Sequence, residues 1–156
     1  MADDALETYL NDHLAGSVSA IQMLERAADD HADSTLGPQL ADLLSAIRAE
    51  QEELRSVIRR LGYSESSVKK AGAWLAQHAS RLKVGASAER DLDRFELFEA
   101  LSLGIQGKLK LWRALRVVAA KHPELVGVDF LRLERQSQEQ HDLVESWRIE
   151  AAQAAL

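Results

Sequence analysis

Residues 63–88 read YSESSVKKAGAWLAQHASRLKVGASA, a stretch set between two long regions of helical periodicity. Within it, Val68, Ala71, Leu75, Ala79 and Leu82 recur at three-and-four spacing, which predicts a short helix over about Glu65 to Leu82. Ser64 stands where an N-cap is wanted, and Gly85 follows the stripe. At ~1.5 Å per residue such a helix covers roughly 27 Å, enough to carry the chain back along a bundle. A segment that long is superfluous in an up-down-up-down bundle, where a short loop serves. The segment therefore predicts a one-crossover topology, in which the helices on either side of it run parallel.

On the N-terminal side, apolar residues at helical spacing run from about Asp4 to Asp30 (Leu6, Leu10, Leu14, Ile21, Leu24). They resume from about Pro38 to Leu61 (Leu40, Leu43, Leu44, Ile47, Leu54, Val57, Ile58, Leu61). The stretch Asp33-Ser34-Thr35-Leu36-Gly37-Pro38 between them combines breaker and cap residues, which predicts a tight antiparallel hairpin. Gly62 stands where a C-terminal glycine cap is expected. On the C-terminal side, a helix over about Ala88 to Ala120 carries Leu97, Leu101, Ile105, Trp112, Leu115 and Ala119. Acids gather in its first turns and bases near its end, matching the helix dipole. Pro123 suits the first turn of a last helix with Val126, Phe130, Leu133, Val144 and Trp147 inward. The fold class that follows is all-α: one domain over residues 1–156, built as a four-helix bundle of two antiparallel hairpins with a fifth, short crossover helix.

Composition narrows the chemistry. The 156 residues include no cysteine, which excludes disulfides, thiolate metal sites and a cysteine nucleophile. A net charge of −6 argues against affinity built on phosphate neutralisation, so no nucleic-acid partner is expected. Residues 1–33 carry eight acids against Arg26 alone, whereas residues 63–88 carry Lys69, Lys70, Arg81 and Lys83 against Glu65. The two segments read as solvated faces that attract one another; a recognition patch on the basic segment is the sharper alternative. No apolar run reaches the length of a membrane span and the N-terminus lacks a signal-type pattern, which predicts a cytoplasmic protein with no membrane partner.

Polar residues interrupt every apolar stripe near its midpoint. They are His13 and Ser17 on the first helix, Glu50 and Gln51 on the second, Lys108 on the fourth segment, and Ser137 and Gln140 on the last. Distance from each turn pairs Ser17 with Gln51 and Lys108 with Ser137 in height. Glu50 and Lys108 come to matched depth under the crossover topology. That leaves two readings of Lys108: an ion pair with Glu50, since an unpaired buried charge is costly, or an ammonium that snorkels outward. Glu52, Glu53, Glu96 and Glu99 are predicted to point outward. Gly104 and Gly107 read as close helix packing or as room for a small ligand beside Lys108. Trp74 lies off its stripe, so it is expected to be exposed and is a candidate dimer contact.

With these residues in place, the chain resembles the ferritin-like superfamily, including small bacterial ferritin-like proteins. The resemblance runs from Leu6-Glu7-Thr8-Tyr9-Leu10-Asn11-Asp12-His13-Leu14 through the crossover to the last helix. It rests on length, topology and mid-bundle polarity. In metal-binding members, carboxylates and two Glu-x-x-His pairs converge on a mid-bundle di-iron site. Here the second helix offers Glu50-x-x-Glu53, the central inward position of the fourth segment is Lys108, and the last helix has Gln138-x-x-His141. The resemblance therefore implies a degenerate site. It predicts no resident cofactor and a non-catalytic binding or assembly module, most simply a homodimer, with a polar layer that fixes register or lines a small-ligand site. The alternative is an iron- or manganese-binding protein, an oxidoreductase or iron handler, that uses His13, Glu50 and His141 in a reduced site.

Overall fold

A computed structural model describes residues 2–66 and 87–156, and every regular element among them is helical. They fall into two compact units. One comprises helices α1 (Ala2–Asp30) and α2 (Leu36–Arg60) together with residues 119–128. The other comprises α3 (Ser87–Val118) and α4 (Phe130–Ala155). None of the described helices is long and apolar enough to cross a membrane. The basic segment with Lys69, Lys70 and Trp74, the proposed crossover helix and Gly85 lie outside the described residues. Residues 63–66, including Glu65 where that helix was expected to begin, form no regular structure.

In the first unit, α1 and α2 pack against each other through the predicted stripes. Leu10, Leu14, Ile21, Leu24 and Ala27 of α1 are buried, as are Leu40, Leu43, Leu44, Ile47, Leu54, Val57 and Ile58 of α2. Leu6 and Leu61, at the ends of the stripes, are only half-buried. Burying a leucine-sized side chain contributes about 1.5–3 kcal/mol, so these stripes hold the hairpin together. Residues 31–35 make the turn, where the His31 amide donates to Ala27 O (3.1 Å) and the Ser34 amide to His31 O (2.9 Å). Gly37 is required there: a Cβ at this position would stand 2.5 Å from His31 O, a backbone atom. At the far end, Gly62 takes φ +74°, with Gly62 N–H donating to Arg59 O and Tyr63 N–H to Ile58 O. These two bonds form the Schellman motif expected of a glycine that follows a helix.

In the second unit, Phe98, Leu101, Ile105, Leu109, Leu111, Trp112 and Leu115 of α3 are buried, as are Phe130, Leu133, Val144, Trp147 and Ala151 of α4. Phe98 tilts against Trp147 (centroids 5.7 Å apart) and Trp112 against Phe130 (6.5 Å). Phe98 takes the buried place expected of Leu97, which is half-buried. The last helix also departs from expectation. Pro123 opens a separate 3-10 turn (Pro123–Leu125), Gly127 takes φ +89°, and α4 starts only at Phe130. The new start is set by Asp129, whose side chain accepts from the Arg132 amide at 3.0 Å as a helix N-cap. Val126 consequently lies in the connector, 77% exposed rather than inward, and Leu125 is the residue buried there. Ala119 likewise falls in a 3-10 turn (Ala119–Lys121) beyond the end of α3.

Candidate functional site

In the first hairpin the predicted polar residues meet as their heights required. Gln51 Nε2 donates to Ser17 Oγ at 2.9 Å, and Ser17 Oγ donates in turn to Leu14 O at 2.7 Å. Beside them Glu50 is 4% exposed, as its place in the apolar stripe of α2 predicted. Glu52 is exposed, but Glu53, expected to point outward, is partly buried. His13 is partly buried and lies edge-on to Tyr9, with centroids 4.7 Å apart and planes at 73°. Burial pushes the His13 imidazole below its usual value, against the opposing effect of Asp12. Desolvation raises the Tyr9 phenol.

A second polar group of this hairpin was invisible to stripe analysis. Asn11 is buried, and both ends of its carboxamide bond to the backbone. Its Nδ2 donates to Glu7 O and Ser64 O, both at 3.0 Å, and its Oδ1 accepts from the Ser66 amide at 3.0 Å. Glu7 Oε1 accepts from both the amide and the hydroxyl of Ser64, each at 3.1 Å. Ser64 thus serves to tie the chain leaving α2 back onto α1. An extended segment has unpaired backbone groups, and one side-chain amide can satisfy a donor and an acceptor of it at once.

In the second hairpin, Lys108 Nζ donates to Gln140 Oε1. Height matching had paired Lys108 with Ser137, one helical turn away on α4. Ser137 is fully buried and donates to Leu133 O at 2.8 Å in its own helix. The Trp112 indole N–H, one turn from Lys108 on α3, is buried and has no hydrogen-bond partner among the described residues. Glu96 and Glu99 are exposed, as expected. Among the described residues a Cβ added at Gly104 or Gly107 meets nothing within 4 Å, so their packing does not account for either glycine.

The most connected polar constellation is one that sequence reading passed over. Buried Ser102 Oγ lies 3.3 Å from His141 Nε2 and donates to Glu145 Oε2 at 3.2 Å. Glu145 also accepts from Arg148 through both oxygens, at 2.8 and 2.7 Å. Arg148 reaches across to Glu99 Oε2 at 3.1 Å, with its guanidinium 5.8 Å from the centroid of Phe95. The hydrogen bond from Arg148 holds the Glu145 carboxyl down at about 2, and Glu145 in return raises Arg148. The signal for this group was the i,i+4 spacing of His141 and Glu145 and the i,i+3 spacing of Glu145 and Arg148 on one face of α4.

This arrangement is not that of a nucleophilic triad. In a triad the imidazole stands between hydroxyl and carboxylate so that it can take the proton. Here the hydroxyl stands between imidazole and carboxylate, and both carboxylate oxygens are already engaged by arginine. The group clamps α3 to α4. Among the described residues, no three or more His, Asp or Glu side chains come together in a group able to hold a metal ion. No family model matches the chain, and neither does any curated protein or solved structure.

Proposed function

We propose that the chain is a ferritin-like helical bundle whose polar interior serves binding or assembly rather than di-metal redox chemistry. The observation that carries this reading is the pairing of Lys108 with Gln140 at the middle of α3 and α4. A di-metal site needs anionic or neutral donors converging at mid-helix. An ammonium hydrogen-bonded to a carboxamide there supplies positive charge where a cation would have to sit, which opposes metal entry.

What such an interior can accept is an acceptor group. Lys108 and the Trp112 indole N–H stand one turn apart on α3, and the indole donor has no acceptor among the described residues. A buried unsatisfied donor costs about 1–3 kcal/mol, so a small ligand that offered an oxygen would be favoured at that position. The alternative of an iron or manganese protein using His13, Glu50 and His141 makes a different prediction for the purified protein. Protein from cells grown with added iron and manganese is expected to carry well under one metal equivalent per chain by elemental analysis. Stoichiometric iron or manganese that survives dialysis would refute the metal-free reading.

A further inference from the structure

Among the described residues, the large hydrophobic side chains left exposed lie on α3, on α4, in their connector and at Leu156. None lies on α1 or α2. On α3 they belong to a single line. Leu103 is 66% exposed, Val117 is 74% exposed and Leu92 is also exposed. Positions 96, 103, 110 and 117 are separated by heptads, so Glu96, Leu103, Lys110 and Val117 share one side of the helix. Gly107 and Ala114 follow at the intervening positions.

Three features of this line point to the same occupant. Its charge is split about Leu103, with Glu96 seven residues before and Lys110 seven residues after. Both are exposed, and neither pairs within the chain among the described residues. Gly104 and Gly107 beside Leu103 weaken the helix, and no packing among the described residues calls for them. A neighbouring helix brought close to the backbone would make use of both. We propose that α3 is a homodimer interface, in which two copies pack their α3 helices antiparallel about a two-fold axis through Leu103.

In that arrangement residues whose numbers sum to 206 face each other. Leu103 meets Leu103 of the second copy. Glu96 meets Lys110 of the second copy about 10 Å from the axis, twice by symmetry. Leu92 comes level with Ala114 of the second copy, a large side chain against a small one. A parallel packing would set Glu96 against Glu96 and Lys110 against Lys110, so the charge pattern also selects the direction. This interface rests on the assembly half of the function proposed above and is independent of its metal-free half.

The test is sedimentation of the full chain and of two exposed charge variants, E96K and K110E, with helix content followed by circular dichroism. The wild type is expected to dimerise. Each variant is expected to raise the dimer Kd about tenfold, because two facing pairs turn from attraction to repulsion. An equimolar mixture of E96K and K110E is expected to restore dimer, since every facing pair is again complementary. Leu103→Asp, which sets like charges on the axis, is expected to be monomeric with its helix content intact. A wild type that stays monomeric at all concentrations overturns both the interface and the assembly reading. A dimer indifferent to all three variants overturns this interface alone and leaves assembly through another face. Mixed variants that fail to recover dimer overturn the antiparallel register. Metal content of the same samples tests the metal-free reading separately.

Discussion

The glycines of the helices provide a test in which one substitution is predicted to act with opposite signs. Replacing Gly104 with Ala adds a methyl group that meets nothing within 4 Å among the described residues, and the same holds for Gly107. Both sit well inside α3, where glycine is about 0.8–1 kcal/mol less favourable than alanine. Each substitution should therefore stabilise the chain by about 1 kcal/mol, or raise the melting temperature by about 2–4 °C for a chain of this size. Gly37→Ala puts its methyl 2.5 Å from His31 O and 3.2 Å from both Cα and O of Ala32. All three are backbone atoms of the turn and cannot rotate away. Gly37 is also the second residue of α2, where the propensity gain is smaller than in a helix interior. Overpacking of this kind costs about 1–3 kcal/mol, so Gly37→Ala should be destabilising by roughly that amount. The assay is thermal and urea denaturation at a protein concentration low enough to keep the chain monomeric. The reasoning fails if Gly37→Ala melts at or above the wild-type temperature, or if Gly104→Ala and Gly107→Ala both melt below it.

Other consequences follow from the polar groups. Asn11→Ala removes three hydrogen bonds that hold the backbone of residues 64–66 and of Glu7, and is expected to cost about 1–3 kcal/mol. Amide exchange at Ser66 should then accelerate far more than exchange in the middle of α2; equal acceleration at both would show that Asn11 acts on the hairpin as a whole. Stability should also fall in two steps on acidification. His13 is held below its ordinary value of 6.5, so the unfolded chain takes up that proton first and stability drops as pH falls below about 6.5. Glu145 is lowered from 4.5 to about 2, so its contribution is complete above about 4.5 and is lost as pH falls towards 2. In urea titrations across pH, His13→Leu should flatten the first step and Glu145→Gln the second. An unchanged pH profile in either variant would contradict the assignment of that step.

Local sequence was enough for the four long helices and for much of what faces inward. The three-and-four spacing of Leu40, Leu43, Leu44 and Ile47 specifies a face whatever it packs on, and all four are buried. The same periodicity singled out Glu50 in the stripe of α2, and counting from the turn brought Ser17 to Gln51. The position of Gly62 after an apolar run announced the end of α2, because a left-handed residue after a helix is most easily a glycine. The start of the last helix was misjudged because proline is equally at home in a 3-10 turn. A capping aspartate at 129 and a left-handed glycine at 127 then decided where α4 begins.

Tertiary structure decided which polar atoms meet. Periodicity reports a residue's angle about its helix axis but not the reach or rotamer of its side chain. It therefore brought Lys108 level with Ser137 and could not choose Gln140, a turn further along. It did not single out Asn11, two of whose three partners are backbone atoms of residues more than fifty positions away. Ser102, Glu145 and Arg148 read singly as a small residue and two surface charges. The i,i+3 spacing along α4 joins Glu145 to Arg148. Only the packing of α3 on α4 brings Ser102 and Glu99 to them, since hydrogen bonds between helices depend on distances of about 3 Å that spacing along one helix cannot set. The helices and their buried faces are local properties of this chain. The wiring between them is not, because each bond needs two elements fixed in place before it can form.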